Sequence, residues 1–158
     1  METNNFKSTR RYVSCKQTLQ AEPARVFPLL CPKREYDWID GWNCKIIFSE
    51  SGYAEQDCVF TTDFPGDVKE TWFVDRYEKD RLIQFIKYSE QRVIKYTITL
   101  TGNSGGTTTA KWEQAITSLN SEGNLFIENF SDADFGKKIK GLEKKLNHYL
   151  ITGKMLKE

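Results

Sequence analysis

Few side chains in this sequence stand where they could do chemistry, and two of them share one strand-like stretch. Over 92–101, Arg92, Ile94, Tyr96, Ile98 and Leu100 alternate with residues such as Lys95, Thr97 and Thr99. Alternate residues of a strand point to opposite faces, so Arg92 and Tyr96 share a face with three aliphatic residues. An inward Arg92 would offer its planar guanidinium to a carboxylate or phosphate as a two-pronged donor. The competing reading is a strand-end arginine whose stem covers the core while its head reaches water. Tyr96 and Gln114 are polar groups on mainly apolar faces, Gln114 lying in phase with Ala110, Trp112 and Ile116. Buried polar groups need partners; a ligand, a bound water or each other would serve. A few such groups in an apolar site are what orients a small guest.

Glu35, Asp63 and Glu70 are the candidate carboxylates. A buried carboxyl with a raised pKa can pass a proton in a cyclisation or dehydration. Their spacing sets no mutual geometry, and each is expected at the surface. His148, the single histidine, falls off the apolar stripe of a C-terminal helix, where a solvent-facing or helix-end role is expected. No Ser-His-Asp or Cys-His arrangement is supported. Cys15, Cys31, Cys44 and Cys58 contain no Cys-x-x-Cys pair, so neither a zinc site of the usual spacing nor any other metal or cofactor is expected. The Asn103 to Gly106 run lacks the Lys-Ser/Thr ending and following helix of a phosphate loop.

These side chains must be positioned by strands. Strand-like stretches are predicted at 11–19, 44–49, 57–63, 68–77, 82–88, 92–101 and 107–119, punctuated by turn-forming residues such as Asn103-Ser104-Gly105-Gly106. The short connections between the later strands imply antiparallel hairpins. A one-residue slip would reverse every face, so the inward residues of 44–63 stay open. After the first stretch, Pro23 suits the start of a short helix with Val26, Phe27, Leu29 and Leu30 on its apolar side, and Pro28 should shorten or bend it. A second short helix or turn from Pro32 carries Glu35, Tyr36, Trp38 and Ile39 and stops at Gly41.

The last element is marked at both ends. Ser131 with Asp134 resembles a capping box, and Phe130 with Phe135 a hydrophobic staple. Gly153 suits the left-handed position beyond a helix C-terminus. Between them Phe135, Ile139, Leu142, Leu146, Tyr149 and Leu150 form one stripe, which must be buried against the sheet. Lys137, Lys138, Lys140, Lys144 and Lys145 form the outer face, read as solvated. The first six or so residues read as a loose tail.

Composition narrows the classes. A chain of 158 residues with net charge +1 fits one domain, 1–158, and lacks the basic excess of a general nucleic-acid binder. No apolar run approaches the roughly 18 residues of a membrane span, so no stable membrane insertion is expected. The start of the chain has no apolar leader core; reduced thiols and a cytoplasmic location are expected. Four Trp, seven Tyr and ten Phe suit either a dense aromatic core or a curved sheet with a partly hollow interior.

The order strand, two short helices, six antiparallel strands, long C-terminal helix resembles the helix-grip fold of the START/Bet v 1-like (SRPBCC) superfamily. Within it the chain looks like the polyketide cyclase/dehydrase and lipid-transport group. The landmarks are PARVFPLL at 23–30, EYDWIDGW at 35–42, Glu70-Thr71-Trp72, and Leu146-Asn147-His148-Tyr149-Leu150. The resemblance implies an α+β domain: a seven-stranded curved antiparallel sheet gripping the last helix, with a cavity between them whose mouth lies near the two short helices. It specifies fold well and chemistry poorly.

The function read from this is binding, transport or sensing of a small hydrophobic or amphipathic ligand, by a monomer or homodimer. Arg92, Tyr96 and Gln114 would orient the guest, and Trp38, Trp42, Phe60, Trp72 and Trp112 would enclose it. Trp38 and Trp42, flanking Gly41, admit a second role as packing residues at a structural corner. Two alternatives stand beside the carrier. One is a cyclase or dehydratase using one cavity carboxylate with Tyr96 or Arg92 polarising a carbonyl. The other is a co-chaperone-like interaction module, which would show a filled core and an exposed apolar patch.

Overall fold

The computed structural model describes residues 5–158, so most of the expected loose tail lies outside the described residues. Seven strands pair into one antiparallel sheet: β1 (Arg10–Leu19), β2 (Lys45–Phe48), β3 (Val59–Thr62), β4 (Glu70–Glu78), β5 (Leu82–Tyr88), β6 (Arg92–Gly102) and β7 (Thr108–Ser118). Their order is β1-β7-β6-β5-β4-β3-β2. Sequential strands β2 to β7 are hairpin neighbours, and β1 closes on β7. Ladder register shifts once within β2 and once between Val74 and Arg76 of β4. Such bulges bend and twist a strand, which helps the sheet curve. The predicted faces of β6 and β7 hold: the even residues from Arg92 to Leu100 and from Thr108 to Ser118 are buried, and on β1 Val13, Gln17 and Leu19 are buried. β2 and β3 are shorter than the stretches 44–49 and 57–63, and β2 is largely exposed.

Between β1 and β2 the chain makes α1 (Pro23–Val26), a 3₁₀ turn (Phe27–Leu30) and α2 (Pro32–Glu35). Pro23 and Pro32 each occupy a first helical position, and Pro28 tightens the α-helix into 3₁₀ geometry within one turn.

One helix was not anticipated from the sequence. α3 (Ser121–Asn129) follows β7, its start capped by the Asn120 side chain accepting from the Gly123 N–H. Among its residues only Gly123 and Ile127 are buried, so its pattern is too sparse to announce itself. Gly123 is where it docks: the Leu119 N–H donates to the Gln91 carbonyl at 2.7 Å, and Gly123 lies against that same carbonyl.

The long C-terminal helix, α4 (Asp132–Thr152), forms as its signals require. Ser131 and Asp134 complete both bonds of the capping box, and Gly153 takes φ 71°. The Phe130 and Phe135 rings meet edge to face at 6.1 Å between centroids. Phe135, Ile139, Leu146 and Leu150 are buried, each contributing roughly 1.5–3 kcal/mol by leaving water.

Polar contacts fix α4 against β1. The Gln17 side-chain amide donates to the Ile139 carbonyl at 2.7 Å. Glu143 accepts from the Thr18 N–H at 2.7 Å, and Asn147 accepts from the Gln20 N–H at 2.9 Å while donating to the Thr18 carbonyl at 3.0 Å. Arg25 donates to the Leu150 carbonyl at 2.6 Å. The outer edge of β1 is thereby partly capped by helix side chains.

Two glycines give opposite expectations. A Cβ at position 123 would stand 2.1 Å from the Gln91 carbonyl oxygen, so Gly123→Ala should cost about 1–3 kcal/mol. A Cβ at Gly136, inside α4, meets nothing within 4 Å, so Gly136→Ala should stabilise by roughly 0.5–1 kcal/mol. Urea denaturation of the two variants measures both.

Candidate functional site

The inner face of the sheet carries a continuous aromatic wall. Phe60 stacks on Trp72 at 5.2 Å, and Trp72 meets Phe85 edge to face at 5.3 Å and Tyr96 at 6.2 Å. Tyr96 in turn meets Trp112 at 5.8 Å and Phe135 of α4 at 6.3 Å. Strand register explains the continuity, since Phe60 pairs with Trp72, Phe85 with Tyr96, and Tyr96 with Gln114. The indole N–H groups are satisfied within the protein: Trp72 donates to the Thr62 hydroxyl at 2.9 Å and Trp112 to the Gln17 side chain at 2.8 Å. Gln17 thus links the wall to the backbone of α4.

The sequence-derived candidates separate into two groups. Phe60, Trp72, Tyr96, Trp112 and Gln114 lie together on this wall, with Arg92 at its end. Trp38 and Trp42 sit elsewhere. Trp38 is fully buried and donates to the Leu29 carbonyl at 2.8 Å. Trp42 donates to the Pro32 carbonyl at 2.8 Å and packs on Phe64. Both tie α1, the 3₁₀ turn and α2 into one corner.

The carboxylates do not all behave as expected. Asp63 is exposed, as anticipated. Glu70 is instead buried on the inner face of β4. Glu35 keeps some accessible surface, yet protein surrounds its carboxyl. A little contact with water does not restore bulk solvation to the carboxyl. Desolvation pushes the Glu35 carboxyl well above the usual carboxylate range, opposed by the nearby charge of Lys138. Glu35 also lies close enough to Tyr96 to affect it. Burial, aided by the Glu35 charge and opposed by a hydrogen bond with Gln114, drives the Tyr96 phenol far above its ordinary value. His148 is half-buried on α4, its carbonyl accepting from the Thr152 hydroxyl.

A buried lysine was overlooked in the sequence. Lys87 continues the inward alternation of Ile83 and Phe85 and pairs across strands with Trp72 and Ile94. Its Nζ lies 4.5 Å from the Trp72 ring centroid, 5.5 Å from that of Tyr96, and 3.5 Å from Glu70 Oε1. Arg92 completes the cluster. Its Nη2 lies 3.6 Å from Glu70 Oε2 and 3.3 Å from Asp67 Oδ1, and its guanidinium sits 3.8 Å over the Phe126 ring of α3. Arg92 is 3% exposed, which overturns the snorkelling alternative. Among the described residues, Arg92 Nε and Glu70 Oε2 have no hydrogen-bond partner.

A recess of about 800 Å³ lies on the outer face of the sheet among side chains such as Tyr12, Gln84, Lys95, Thr97 and Glu113. It is open, and of the wall residues only Gln114 reaches it, with none of the wall's rings.

Lys87 gives a pH signature. Burial lowers its pKa to about 8, with Lys138 and Arg92 acting in the same direction and Glu70 opposing. Unfolded, it titrates near its ordinary value of about 10.5. Between these values the unfolded chain binds the extra proton, so stability rises with pH. The urea midpoint should climb from pH 8 towards 10, and Lys87→Met should flatten that climb. Glu35 has the opposite sign. Its raised folded pKa favours the fold at low pH, a contribution lost as pH rises through the folded value, so Glu35→Gln should gain stability over wild type from acid to neutral pH.

No protein-family model and no curated protein matches the sequence. Solved structures do match in fold. DynU16, a protein of the dynemicin biosynthetic locus, aligns over 90% of this chain with a TM-score of 0.62 at 18% identity. This chain spans 48% of that one, about half its length. Major latex-like protein 151 from Panax ginseng aligns over 89% of this chain and 97% of its own, with a TM-score of 0.62 at 12% identity. Norcoclaurine synthase from Thalictrum flavum, in complex with dopamine and hydroxybenzaldehyde, aligns over 91% and 88%, with a TM-score of 0.62 at 12% identity. With its seven-stranded antiparallel sheet, paired short helices and long closing helix, this chain has the helix-grip fold that these solved structures share.

Proposed function

We propose that this protein binds a small, largely apolar molecule between the inner face of its sheet and α4. The observation that carries the reading is the aromatic wall from Phe60 to Trp112, which reaches α4 at Phe135 and ends in buried charges rather than in more hydrocarbon. Flat aromatic faces beside a few fixed polar groups are what a small-molecule site uses for affinity and orientation. Tyr96, Gln114 and Arg92 would orient the guest; Phe60, Trp72 and Trp112 would enclose it. Trp38 and Trp42 contribute by holding the corner that carries Glu35. The fold is shared with a plant latex protein and with an enzyme caught holding two aromatic molecules, which makes such a guest reasonable.

Native mass spectrometry of freshly purified protein, followed by a screen of lipids and neutral aromatics, tests this. Uptake of an aromatic such as naphthalene-2-carboxamide is expected, with Trp72→Ala weakening it about tenfold or more. No uptake across the whole screen would sink the reading.

A second reading, a cyclase- or dehydratase-like enzyme, is favoured by one placement. Glu35 is a carboxyl held towards its neutral form close to Tyr96, so it would arrive as a proton donor with Tyr96 polarising a carbonyl. With a substrate identified from the bound guest, Glu35→Gln should lower turnover about 10²-fold while leaving binding intact. Unchanged turnover would eliminate Glu35 as the acid.

A further inference from the structure

We infer that the guest carries one negative charge, a carboxylate or similarly compact anion, received between Lys87 of β5 and Arg92 of β6. This inference rests on the ligand-binding reading above and names the chemistry of its polar end.

Charge balance in the interior carries the argument. Lys87 and Arg92 are 6% and 3% exposed, and they share one buried carboxylate, Glu70. The second acid near them, Asp67, has a side chain 48% exposed. It reaches Arg92 Nη2 at 3.3 Å, but its contact with water weakens what that bond contributes. Lys138 on α4 is exposed, so its positive charge reaches Lys87 weakened by water, and Glu35 on α2 is held towards neutrality. The neighbouring Tyr96 stays neutral because its phenol is pushed far up. Two buried cations thus face one buried anion.

The bonds that should compensate are poor. Charge-assisted hydrogen bonds normally close to about 2.7–2.9 Å, whereas Glu70 stands 3.5 Å from Lys87 and 3.6 Å from Arg92. Arg92 Nε has no hydrogen-bond partner among the described residues. A buried charge without full pairing is costly. Lys87 responds by holding its proton less tightly; an arginine has no such outlet. An incoming anion would supply acceptors to both cations, and the presence of Glu70 limits the demand to one charge. The aromatic wall begins beside this cluster, where Lys87 lies over Trp72 and Tyr96. A ring attached to the anion would therefore lie along the wall.

The test compares naphthalene-2-carboxylate with naphthalene-2-carboxamide, which share ring and size and differ in charge. Calorimetry at pH 7 should show the acid binding about tenfold or more tightly than the amide. That preference should shrink as pH rises through about 8 and Lys87 loses its proton, since the ligand's own charge stays constant there. Lys87→Met should abolish the preference while the amide still binds; Lys138→Met, on the exposed face of α4, should preserve most of it. Should Lys87→Met fail to fold, the wild-type pH series decides alone. An amide binding as tightly as the acid, or a preference flat from about pH 7 to 9, overturns the anion and leaves the pocket standing. Binding of neither compound overturns the anion; the ligand-binding reading falls with it only if the whole screen also shows no uptake.

Discussion

An edge strand exposes backbone donors and acceptors that a stable fold must cover or blunt, and in this protein α4 helps do so for β1. Thr18 and Gln20 give their N–H groups to Glu143 and Asn147, and the Thr18 carbonyl receives Asn147 in return. These contacts fix where along β1 the helix lies. Apolar packing alone would tolerate sliding, because a stripe of Phe, Ile and Leu is satisfied by many offsets; directional bonds to particular backbone groups are not. Much else depends on that offset. It places Phe135 against Tyr96, brings Lys138 within electrostatic reach of Glu35 and Lys87, and sets the distance between helix and aromatic wall.

The other fixed point is the corner between β1 and β2. Trp38 and Trp42 spend their indole N–H groups on the Leu29 and Pro32 carbonyls, so neither ring is free to reorient without losing a bond. Helices of four residues have almost no stability of their own, and α1, the 3₁₀ turn and α2 are held by these tethers and by prolines at their starts. The consequence for chemistry is indirect. The rigid corner delivers Glu35 to an interior where its carboxyl is poorly solvated, from a segment that in isolation would leave it in water.

What could be read in the sequence divides along the distance over which each signal acts. The cap, staple, stripe and terminal glycine of α4 are all local; cap, staple and glycine form as expected, and of the stripe Phe135, Ile139, Leu146 and Leu150 are buried while Leu142 and Tyr149 are half-buried. The faces of β6 and β7 follow from alternation and came out in phase. α3 escaped because its docking depends on a glycine meeting a carbonyl on the β5–β6 connection, a contact with no periodic signature. Glu70 and Lys87 stood in phase with Trp72 and with Ile83 and Phe85, so alternation pointed inward while charge argued outward. Composition alone favours the outward reading. The choice is settled by β4 pairing with β5 and β5 with β6 in a register that makes the two charges neighbours, and register between strands is not a local property.

The buried charges carry a further consequence. Replacing a buried ion cluster by apolar residues of similar volume is often neutral or stabilising, so Lys87, Glu70 and Arg92 are hard to justify as scaffolding, the more so with long ion-pair distances and two unpartnered polar atoms. The wall beside them meets every requirement of a core without their help. One end of the interior is therefore polar where hydrocarbon would serve stability better, and the other is aromatic. An interior that differs along its length distinguishes the two orientations of whatever enters it, because reversing an amphipathic guest would take its charge away from Lys87 and Arg92 and leave it against the aromatic rings. Under the ligand-binding reading, this difference between the ends, more than the total apolar area, fixes how the guest lies.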